Sequence, residues 1–348
     1  MWWRRSGPAV GLDLGTAHTV VHVEGRGIVL EEPSVVAVDQ ATGAVVAAGH
    51  EARMLFGRHP EGIRLRRPVA RGVVQDAAAT RGLVRRLLAK ALAPLRRRGR
   101  PRVVVGVPAG ATRVEAEAIR RVVEEAGAAA VWPVPEPLAV AVGEGLPVEE
   151  PVGSLVVDVG GGTAEAAVVA LGGLVVARSV PVAGDAVEAA VLQHLRTRHR
   201  LLVGDGQATA LVRALAAGRA RQFAEAVPVA GRRLDSGIPA TVELSAAELD
   251  AVVAPLVRTV LDMVRAVLEA APPEFAHDFL ERGLVLTGGG SLPLGLERRL
   301  QEETGLPVTL APAPFRSAGL GVGRLAEDPA RLARLARDVG TALPQREP

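Results

Sequence analysis

Residues 155–163 read Leu-Val-Val-Asp-Val-Gly-Gly-Gly-Thr, an apolar run that ends in an aspartate, three glycines and a hydroxyl side chain. The apolar run is typical of a buried strand, and successive glycines let backbone N–H groups approach an anion closely. At the strand end, Asp158 is placed to hold a hydrated Mg²⁺, and Thr163 to bind a phosphate oxygen. A single glycine-rich turn is weak evidence for a phosphate site, so its repetition matters.

The same pattern occurs twice more in the chain. Residues 10–16 read Val-Gly-Leu-Asp-Leu-Gly-Thr, and residues 284–291 read Leu-Val-Leu-Thr-Gly-Gly-Gly-Ser. Asp13 and Asp158 are about 145 residues apart, roughly the length of one domain. The repetition therefore predicts two similar halves, each of which presents a phosphate-binding loop to a shared cleft.

The composition fits a large globular α/β protein. The chain has 348 residues, of which 49% are hydrophobic, and no cysteine. The lack of cysteine excludes disulfides and thiol chemistry, and a cytosolic setting is expected. Almost all basic residues are arginine and the net charge is only +3, so we expect no nucleic-acid partner. No apolar run approaches the ~20 residues of a membrane span, and no signal peptide is recognisable.

Local signals predict several helices. Leucines at helical spacing predict a helix over residues 80–95. Thr112 followed by Glu115 is typical of a capping box. Pro137 suits a first helical turn, which places Glu136 at a helix N-terminus where the dipole favours the ionised carboxylate.

The second half shows a hairpin pattern and a further helix start. Ser245 followed by Glu248 predicts the beginning of a helix, which Pro255 should kink. The predicted strands cover residues 155–159, 164–170 and 174–180.

These turns together resemble the actin, Hsp70 and sugar-kinase superfamily, and within it the MreB/Mbl family of bacterial actin homologues. The resemblance extends over nearly the whole chain, with matches in the family's order. The matching stretches are residues 11–17, 27–36, 136–137, 145–151, 158–163, 182–185 and 282–290.

The resemblance implies an α/β actin-like fold in which two similar domains with ribonuclease-H-like βββαβα cores flank a nucleotide cleft. Each domain carries a small inserted subdomain. Domain I is expected to comprise residues 1–150 plus 317–340, with its small subdomain at about 39–69. Domain II is expected to comprise residues 151–316, with its small subdomain at about 186–245. Residues 341–348 are expected to form a disordered tail.

The resemblance also implies a site for ATP and Mg²⁺. Asp13 and Asp158 would hold the metal ion through water, and Glu136 would orient the water that attacks the γ-phosphate, with Thr163 as its catalytic partner. The expected phosphate-binding residues are Asp13, Gly15, Thr16, Ala17, His18, Gly160, Gly161, Gly162 and Thr163. The residues expected on the adenosine side are Asp205, Thr209, Arg213, Gly288, Gly289, Gly290 and Ser291.

Some positions depart from the family pattern. On the phosphate side these are His18, Pro135 and Ala164. On the nucleoside side, Thr209 and Val212 stand where the family has a glutamate and a lysine, although the adjacent Arg213 can substitute. We therefore expect weaker and less selective binding of ATP than is usual for the family.

Two basic stretches are candidates for membrane contact. Tryptophan beside arginine is favoured at a bilayer surface, and arginines near anionic lipid contribute about 1 kcal/mol each. A frayed terminus and a solvated loop are the alternative interpretations. The candidate residues are Trp2, Trp3, Arg4, Arg5, Arg96, Arg97 and Arg98.

The function implied by the resemblance is a membrane-associated, nucleotide-dependent filament that organises peptidoglycan synthesis and cell shape, with slow ATP hydrolysis. Its implied partners are copies of itself, anionic lipids, and MreC, MreD and RodZ-like proteins of the cell-wall elongation machinery, at the inner face of the cytoplasmic membrane. One alternative is a degenerate paralogue that binds nucleotide weakly and does not hydrolyse it. A second is a sugar- or acetate-kinase-type phosphotransferase, although no polar acceptor site is recognisable.

Overall fold

The computed structural model of the protein describes residues 7–58, 60–95, 99–204, 207, 210–212 and 226–335. Its strands are β1 (Ala9–Leu14), β2 (His18–Val23), β3 (Gly27–Pro33), β4 (Val36–Asp39), β5 (Val45–Ala48), β6 (Ile63–Arg66), β7 (Val69–Ala70), β8 (Val73–Val74), β9 (Arg102–Val107), β10 (Ala130–Pro135), β11 (Ser154–Val159), β12 (Ala164–Ala170), β13 (Gly173–Val180), β14 (Leu201–Leu202), β15 (Ala226–Arg233), β16 (Pro239–Ser245), β17 (Leu284–Thr287) and β18 (Val308–Leu310).

The α-helices alternate with these strands. They are α1 (His50–Arg53), α2 (Ala77–Leu92), α3 (Arg113–Glu125), α4 (Glu136–Gly143), α5 (Gly184–Arg198), α6 (Ala246–Ala270), α7 (Ala276–Arg282), α8 (Ser291–Leu294), α9 (Leu296–Thr304), α10 (Ser317–Glu327) and α11 (Pro329–Leu335).

Two five-stranded sheets share one topology. The first has the order β10-β9-β1-β2-β3 and the second the order β18-β17-β11-β12-β13. In each, the first strand pairs antiparallel with the next strand and parallel with a later one. The chain is therefore built from a duplicated unit, as the repeated glycine turns predicted.

The central strands are apolar because they are covered on both faces. Residues of β1 and β11 are buried along nearly their whole length, and each strand carries its aspartate as the fifth of six residues. Since parallel strands end at the same edge of a sheet, Asp13 and Asp158 lie at the carboxyl edges of the two sheets. This edge is where ligands bind in open α/β sheets.

The helix predictions were correct in position, with local differences at the ends. Helix α2 begins three residues earlier than predicted because the Asp76 carboxylate accepts a hydrogen bond from the Ala79 N–H. It ends before Pro94, which cannot continue a helix. The capping box of Thr112 and Glu115 is present with both of its hydrogen bonds.

The helix that begins after Ser245 was also predicted. The Ser245 hydroxyl accepts a hydrogen bond from the Glu248 N–H, at 3.2 Å. Helix α6 continues through Pro255 to its end at Ala270.

Helix α10 returns the chain to the first sheet. It packs on β1, β9 and α4, and glycine makes this close approach possible: a Cβ on Gly11 would lie 2.6 Å from the Cα of Gly323. The Arg324 guanidinium donates to the carbonyls of Val142 and Gly143, both at 2.8 Å. These bonds satisfy carbonyls at the end of α4 and fix α10 against the first half of the chain.

Smaller sheets extend the two halves. The order β5-β4-β6 forms one of them, with Val35, Ala37 and Ala52 buried beneath it. The order β14-β15-β16 forms another, and its residues Val229 and Leu244 join the core of the second half. A third small sheet consists of β7 and β8. The strands β5, β6 and β14 to β16 lie within the ranges of about 39–69 and 186–245 predicted for the small subdomains, whereas β4 begins at Val36, before the first range.

Candidate functional site

A cleft of about 590 Å³ lies between the two halves, at the carboxyl edges of both five-stranded sheets. Three glycine-containing turns form its walls, and acidic side chains form its floor. Its lining residues include Asp13, Gly15, Thr16, Ala17, His18, Glu136, Asp158, Gly160, Gly161, Gly162, Thr163, Gly288, Gly289 and Gly290. The structure thus brings together the residues that the sequence predicted for phosphates, metal and catalysis.

The first two glycine turns touch each other directly. A Cβ on Gly161 would lie 2.6 Å from the Cβ of Ala17, and one on Gly162 would lie 2.8 Å from the Arg71 N. No side chain fits into this contact. The glycines therefore serve both halves at once: they expose backbone N–H groups and let the two turns meet.

Thr16 is buried beneath this contact. Its hydroxyl accepts a hydrogen bond from the Gly72 N–H at 3.1 Å. In this position the threonine anchors the turn that follows β7. The Thr16 hydroxyl thus already makes one hydrogen bond within the protein. The phosphate contact predicted for it would be a second interaction.

The third glycine turn supports the second. The Gly290 N–H donates to the Val159 carbonyl at 2.8 Å, and the Gly288 N–H donates to the Pro314 carbonyl at 3.0 Å. Gly288 has φ 82°, a conformation in which a side chain would be strained. The Ser291 hydroxyl is buried and donates to the Gly288 carbonyl at 2.7 Å. Ser291 thus stabilises the turn, whereas the sequence predicted it on the adenosine side.

Three carboxyl groups meet at the floor of the cleft. Burial raises the pKa of Asp13 to about 7, and repulsion by Asp158 adds to this effect. Burial likewise raises the pKa of Asp158 to about 7. The pKa of Glu136 is also raised well above its ordinary value by burial and by the charges of Glu165, Asp13 and Asp158.

The raised pKa of Glu136 opposes the ionised form that its place at a helix N-terminus favours. Glu136 does open helix α4, as predicted. The helix dipole favours a negative charge there, but its contribution is typically below 1 kcal/mol at an ordinary helix end. Burial beside other acids outweighs it and favours the protonated form.

The chemistry of this floor suits a divalent cation. Clustered carboxylates in a buried site are costly without a positive charge, and oxygen atoms are the ligands that Mg²⁺ prefers. Asp13 and Asp158 are the residues that would hold such an ion. With the cation bound, the pKa of both groups would fall, because the ion favours their ionised forms.

Glu165 lies behind the floor of the cleft, where its charge acts on Glu136, and the sequence did not predict this role. It lies on β12 opposite Asp158 and is buried. Its Oε1 accepts a hydrogen bond of 3.0 Å from the Ala109 N–H, in the other half of the chain. Burial raises its pKa to about 8, against the lowering effect of that bond. The sequence signal that could have identified it is a single acidic residue within a strand of alanine and valine.

Arg67 lines one side of the cleft. The sequence did not predict Arg67 as a residue of the site. Its guanidinium donates to the Asp185 carboxylate at 2.9 Å and lies 3.7 Å from Glu188. Arg67 follows β6 in the first half, whereas both acids belong to α5 in the second. No local pattern could have predicted a pair separated by 118 residues.

The described lining of the cleft also has an apolar part. Ala210, Val212, Pro293 and Phe315 line it. The Phe315 ring lies against the backbone of Gly289, and 54% of this residue is exposed. The predicted nucleoside residues Asp205, Thr209 and Arg213 lie outside the described residues.

The residues predicted to contact a membrane also lie outside the described part of the chain. They are Trp2, Trp3, Arg4, Arg5 and Arg96 to Arg98, and the predicted tail over residues 341–348 is likewise outside. Among the described residues, no helix is long and apolar enough to cross a bilayer.

Duplicated sheets around a cleft with paired aspartate–glycine turns define an actin-like protein. Solved structures agree: MreB5 of Spiroplasma citri bound to AMPPNP superposes with a TM-score of 0.84 at 28% identity, covering 94% of this chain and 98% of that one. The MamK double helical filament, at 23% identity and a TM-score of 0.74, covers 92% of this chain and 98% of its own and shares the fold.

The chain belongs to the MreB/Mbl protein family, whose model matches residues 7–334. It is 41% identical to cell shape-determining protein MreB of Escherichia coli over 323 residues, which cover 91% of this chain and 93% of that protein. It is 36% identical to cell shape-determining protein Mbl of Bacillus subtilis over 317 residues, 90% of this chain and 94% of that protein.

Proposed function

We propose that this protein binds ATP with Mg²⁺ in the cleft, hydrolyses it slowly, and assembles into filaments that determine cell shape. The observation that carries the proposal is the contact between the Gly161 and Ala17 turns, which line one cleft together with Asp13 and Asp158. In this proposal the glycine turns supply backbone N–H groups to an anion, and the buried carboxyl groups require a cation. A metal-bound polyphosphate satisfies both requirements.

The proposed roles follow the positions of the residues. Backbone N–H groups of the turns at residues 15–18 and 160–163 hold the phosphates, and the Thr163 hydroxyl contacts the outermost one. Asp13 and Asp158 hold the metal ion through its water ligands. The ion would supply charge neutralisation between the phosphate oxygens.

Glu136 is the proposed water-positioning residue. Its side chain lies against Gly106, within the same floor as Asp13 and Asp158. A carboxylate accepts a proton from an attacking water only when it is ionised. A cation in the floor would lower the raised pKa of Glu136 and so favour the ionised form that hydrolysis needs.

Phe315 is the proposed platform for the nucleobase. An aromatic ring that is half exposed beside an apolar cavity offers a face for stacking. Stacking is tolerant of base identity, because every base has a π-face. This contact supports binding of ATP despite the apolar Val212, and it fits the expectation of poor discrimination against GTP.

Filament formation is proposed from the family and its relatives. The relatives are named as cell shape-determining proteins, and MamK, of the same fold, is described as a filament. For this chain we propose a homopolymer at the inner face of the cytoplasmic membrane, contacting MreC, MreD and RodZ-like proteins of the peptidoglycan machinery. Trp2, Trp3 and the nearby arginines would supply weak anchors that many copies make stable.

The test is electron microscopy and sedimentation of the purified full chain on anionic vesicles, with and without ATP and Mg²⁺. We expect filaments and co-sedimentation only with nucleotide, and loss of co-sedimentation at high salt because surface charges are screened. Deletion of residues 2–5 should release filaments from vesicles without dissolving them. Absence of filaments under all nucleotide conditions would refute the proposal, and full co-sedimentation of the deletion variant would refute the N-terminal anchor.

A further inference from the structure

Two histidines and a glutamate converge on one point away from the cleft. The His194 Nε2 lies 2.6 Å from the Glu248 Oε1, and the His199 Nε2 lies 2.7 Å from the same oxygen. One ligand atom from each residue lies within 4.8 Å of those of the other two. The two imidazole rings are arranged edge to face, with centroids 5.6 Å apart.

The scaffold that holds these groups consists of two helices that pack on each other. His194 lies in α5 and His199 follows its last residue, while Glu248 lies in the first turn of α6. Both helices are anchored beside the cluster, since Leu195 and Leu249 are completely buried in the core of the second half. Two of the three side chains therefore lie on packed helices, and the third lies directly after the end of one.

The Glu248 carboxylate is directed to the histidines instead of its usual local partner. A glutamate three residues after an N-terminal serine commonly bonds back to the N–H of that serine. Here the Ser245 hydroxyl accepts a hydrogen bond from the Glu248 N–H, which is one of the two bonds of a capping box. The carboxylate bonds both imidazoles instead, so the sequence pattern of a capping box supplies a third ligand atom.

We propose that His194, His199 and Glu248 form a transition-metal site that takes Zn²⁺. Two imidazoles and one carboxylate form a known zinc donor set, which leaves a fourth position for water. The three side chains are 21–26% exposed, so that position faces solvent. In a tetrahedral site the ligand atoms lie about 3.4 Å apart. Small side-chain rotations reach this spacing from the present hydrogen-bond distances.

This site is separate from the floor of the cleft. Helix α5 begins at the cleft with Gly184 and Asp185, and His194 follows nine residues later, about 14 Å along the helix. Nitrogen ligands also distinguish the two sites, since imidazole favours Zn²⁺ whereas carboxylates and water favour Mg²⁺. A bound ion would join the end of α5 to the start of α6, next to β14 and β16.

The test is isothermal titration of Zn²⁺ into the full chain, without a histidine tag and after chelator treatment, in the presence of excess Mg²⁺. We expect one equivalent of Zn²⁺ to bind and the thermal unfolding temperature to rise with Zn²⁺. Since loss of even an outer-shell partner costs about 10- to 100-fold in metal affinity, His194→Gln and Glu248→Gln should each cost at least as much.

Controls separate this site from adventitious binding. His277→Gln should bind Zn²⁺ as the unaltered protein does, because the His277 side chain is 86% exposed and its Nε2 lies 3.9 Å from Glu281, outside the cluster. Asp158→Ala should also retain the zinc site. Co²⁺ loading should give the absorption of a tetrahedral ion in the unaltered protein and not in Glu248→Gln. Absence of Zn²⁺ binding, or equal binding by the His194 and His277 variants, would show a hydrogen-bonded cluster only and overturn the proposal.

Discussion

Asp13 and Asp158 occupy equivalent positions in the two halves of the molecule, and the charge of Asp158 adds to the energetic cost of ionising Asp13. Each is the fifth residue of the first strand of its sheet. The duplication thus brings two carboxyl groups to one floor, where burial raises the pKa of both to about 7. A cation relieves this cost, so metal binding and nucleotide binding should be coupled in this cleft.

Glu136 should be needed for hydrolysis and not for binding. We expect Glu136→Ala to abolish phosphate release while its affinity for Mg²⁺-ATP stays near that of the unaltered protein, because the carboxylate acts on water. Phosphate release and equilibrium binding of a fluorescent ATP analogue are the two measurements. Hydrolysis at the unaltered rate in Glu136→Ala would contradict the assignment.

Phe315 should contribute to binding of the base and not of the phosphates. Since base–aromatic stacking contributes about 1–3 kcal/mol, we expect Phe315→Ala to weaken ATP binding by roughly tenfold. Binding of inorganic tripolyphosphate, which has no base, should not change. Phe315→Trp keeps an aromatic face and should retain ATP affinity. Equal losses for ATP and tripolyphosphate in Phe315→Ala would indicate a distorted cleft and not a lost stacking contact.

Arg67 should slow the release of nucleotide. Its ion pair with Asp185 joins the two halves at the side of the cleft, so we expect Arg67→Ala to open the cleft more often and speed nucleotide dissociation. The matched control is Arg66→Ala, because Arg66 pairs with Asp76 within the same half, at 2.8 Å. Stopped-flow displacement of a labelled nucleotide measures both rates. Equal dissociation rates in the two variants would show that the Arg67 pair does not restrain the cleft.

Lys90 should stabilise the first half through the buried Glu32. Burial alone would raise the pKa of Glu32, but hydrogen bonds from Lys90 and from His50 outweigh it and lower the pKa. The side chain of Glu32 is only 6% exposed. Loss of one partner of a buried group costs about 1–3 kcal/mol, so Lys90→Ala should lower the free energy of unfolding by that amount.

The acid dependence of stability should report the same contact. Because folding lowers the pKa of Glu32, its contribution is complete above the ordinary pKa and is lost as pH falls through the folded value. Urea unfolding at neutral and acidic pH should therefore show a smaller difference between Lys90→Ala and the unaltered protein at acidic pH. Lys90→Arg keeps the charge and is the control. A difference that is independent of pH would contradict this account.

The central strands and their glycine turns could be predicted from the sequence, because both depend on short-range patterns. Asp158 and three glycines after an apolar run identify a strand end, and their repetition at Asp13 predicts the duplication. The position of Glu136 at a helix start followed in the same way from Pro137. The raised pKa of Glu136 could not be predicted from the sequence, because it depends on acids that the fold brings close, among them Glu165.

Contacts between distant segments escaped prediction for the same reason. Arg67 and Asp185 are 118 residues apart. Asp185 belongs to the matching stretch at residues 182–185, but nothing in that stretch indicates that its partner is Arg67. Phe315 gains its place in the cleft only because α10 returns to the first sheet after the second is complete. His194 and His199 carry a spacing of five residues, and only the packing of α5 on α6 places Glu248 between them.

The most direct test of the central claim is calorimetric titration of ATP into the nucleotide-free protein, with and without Mg²⁺, for the unaltered chain and for Asp158→Ala. The account predicts binding that requires Mg²⁺ in the unaltered chain and is at least about tenfold weaker in the variant, since a metal-holding carboxylate is lost. Both proteins should unfold cooperatively, which excludes misfolding as the cause. Binding of ATP with equal affinity by the two proteins, or no binding by either, would contradict the account.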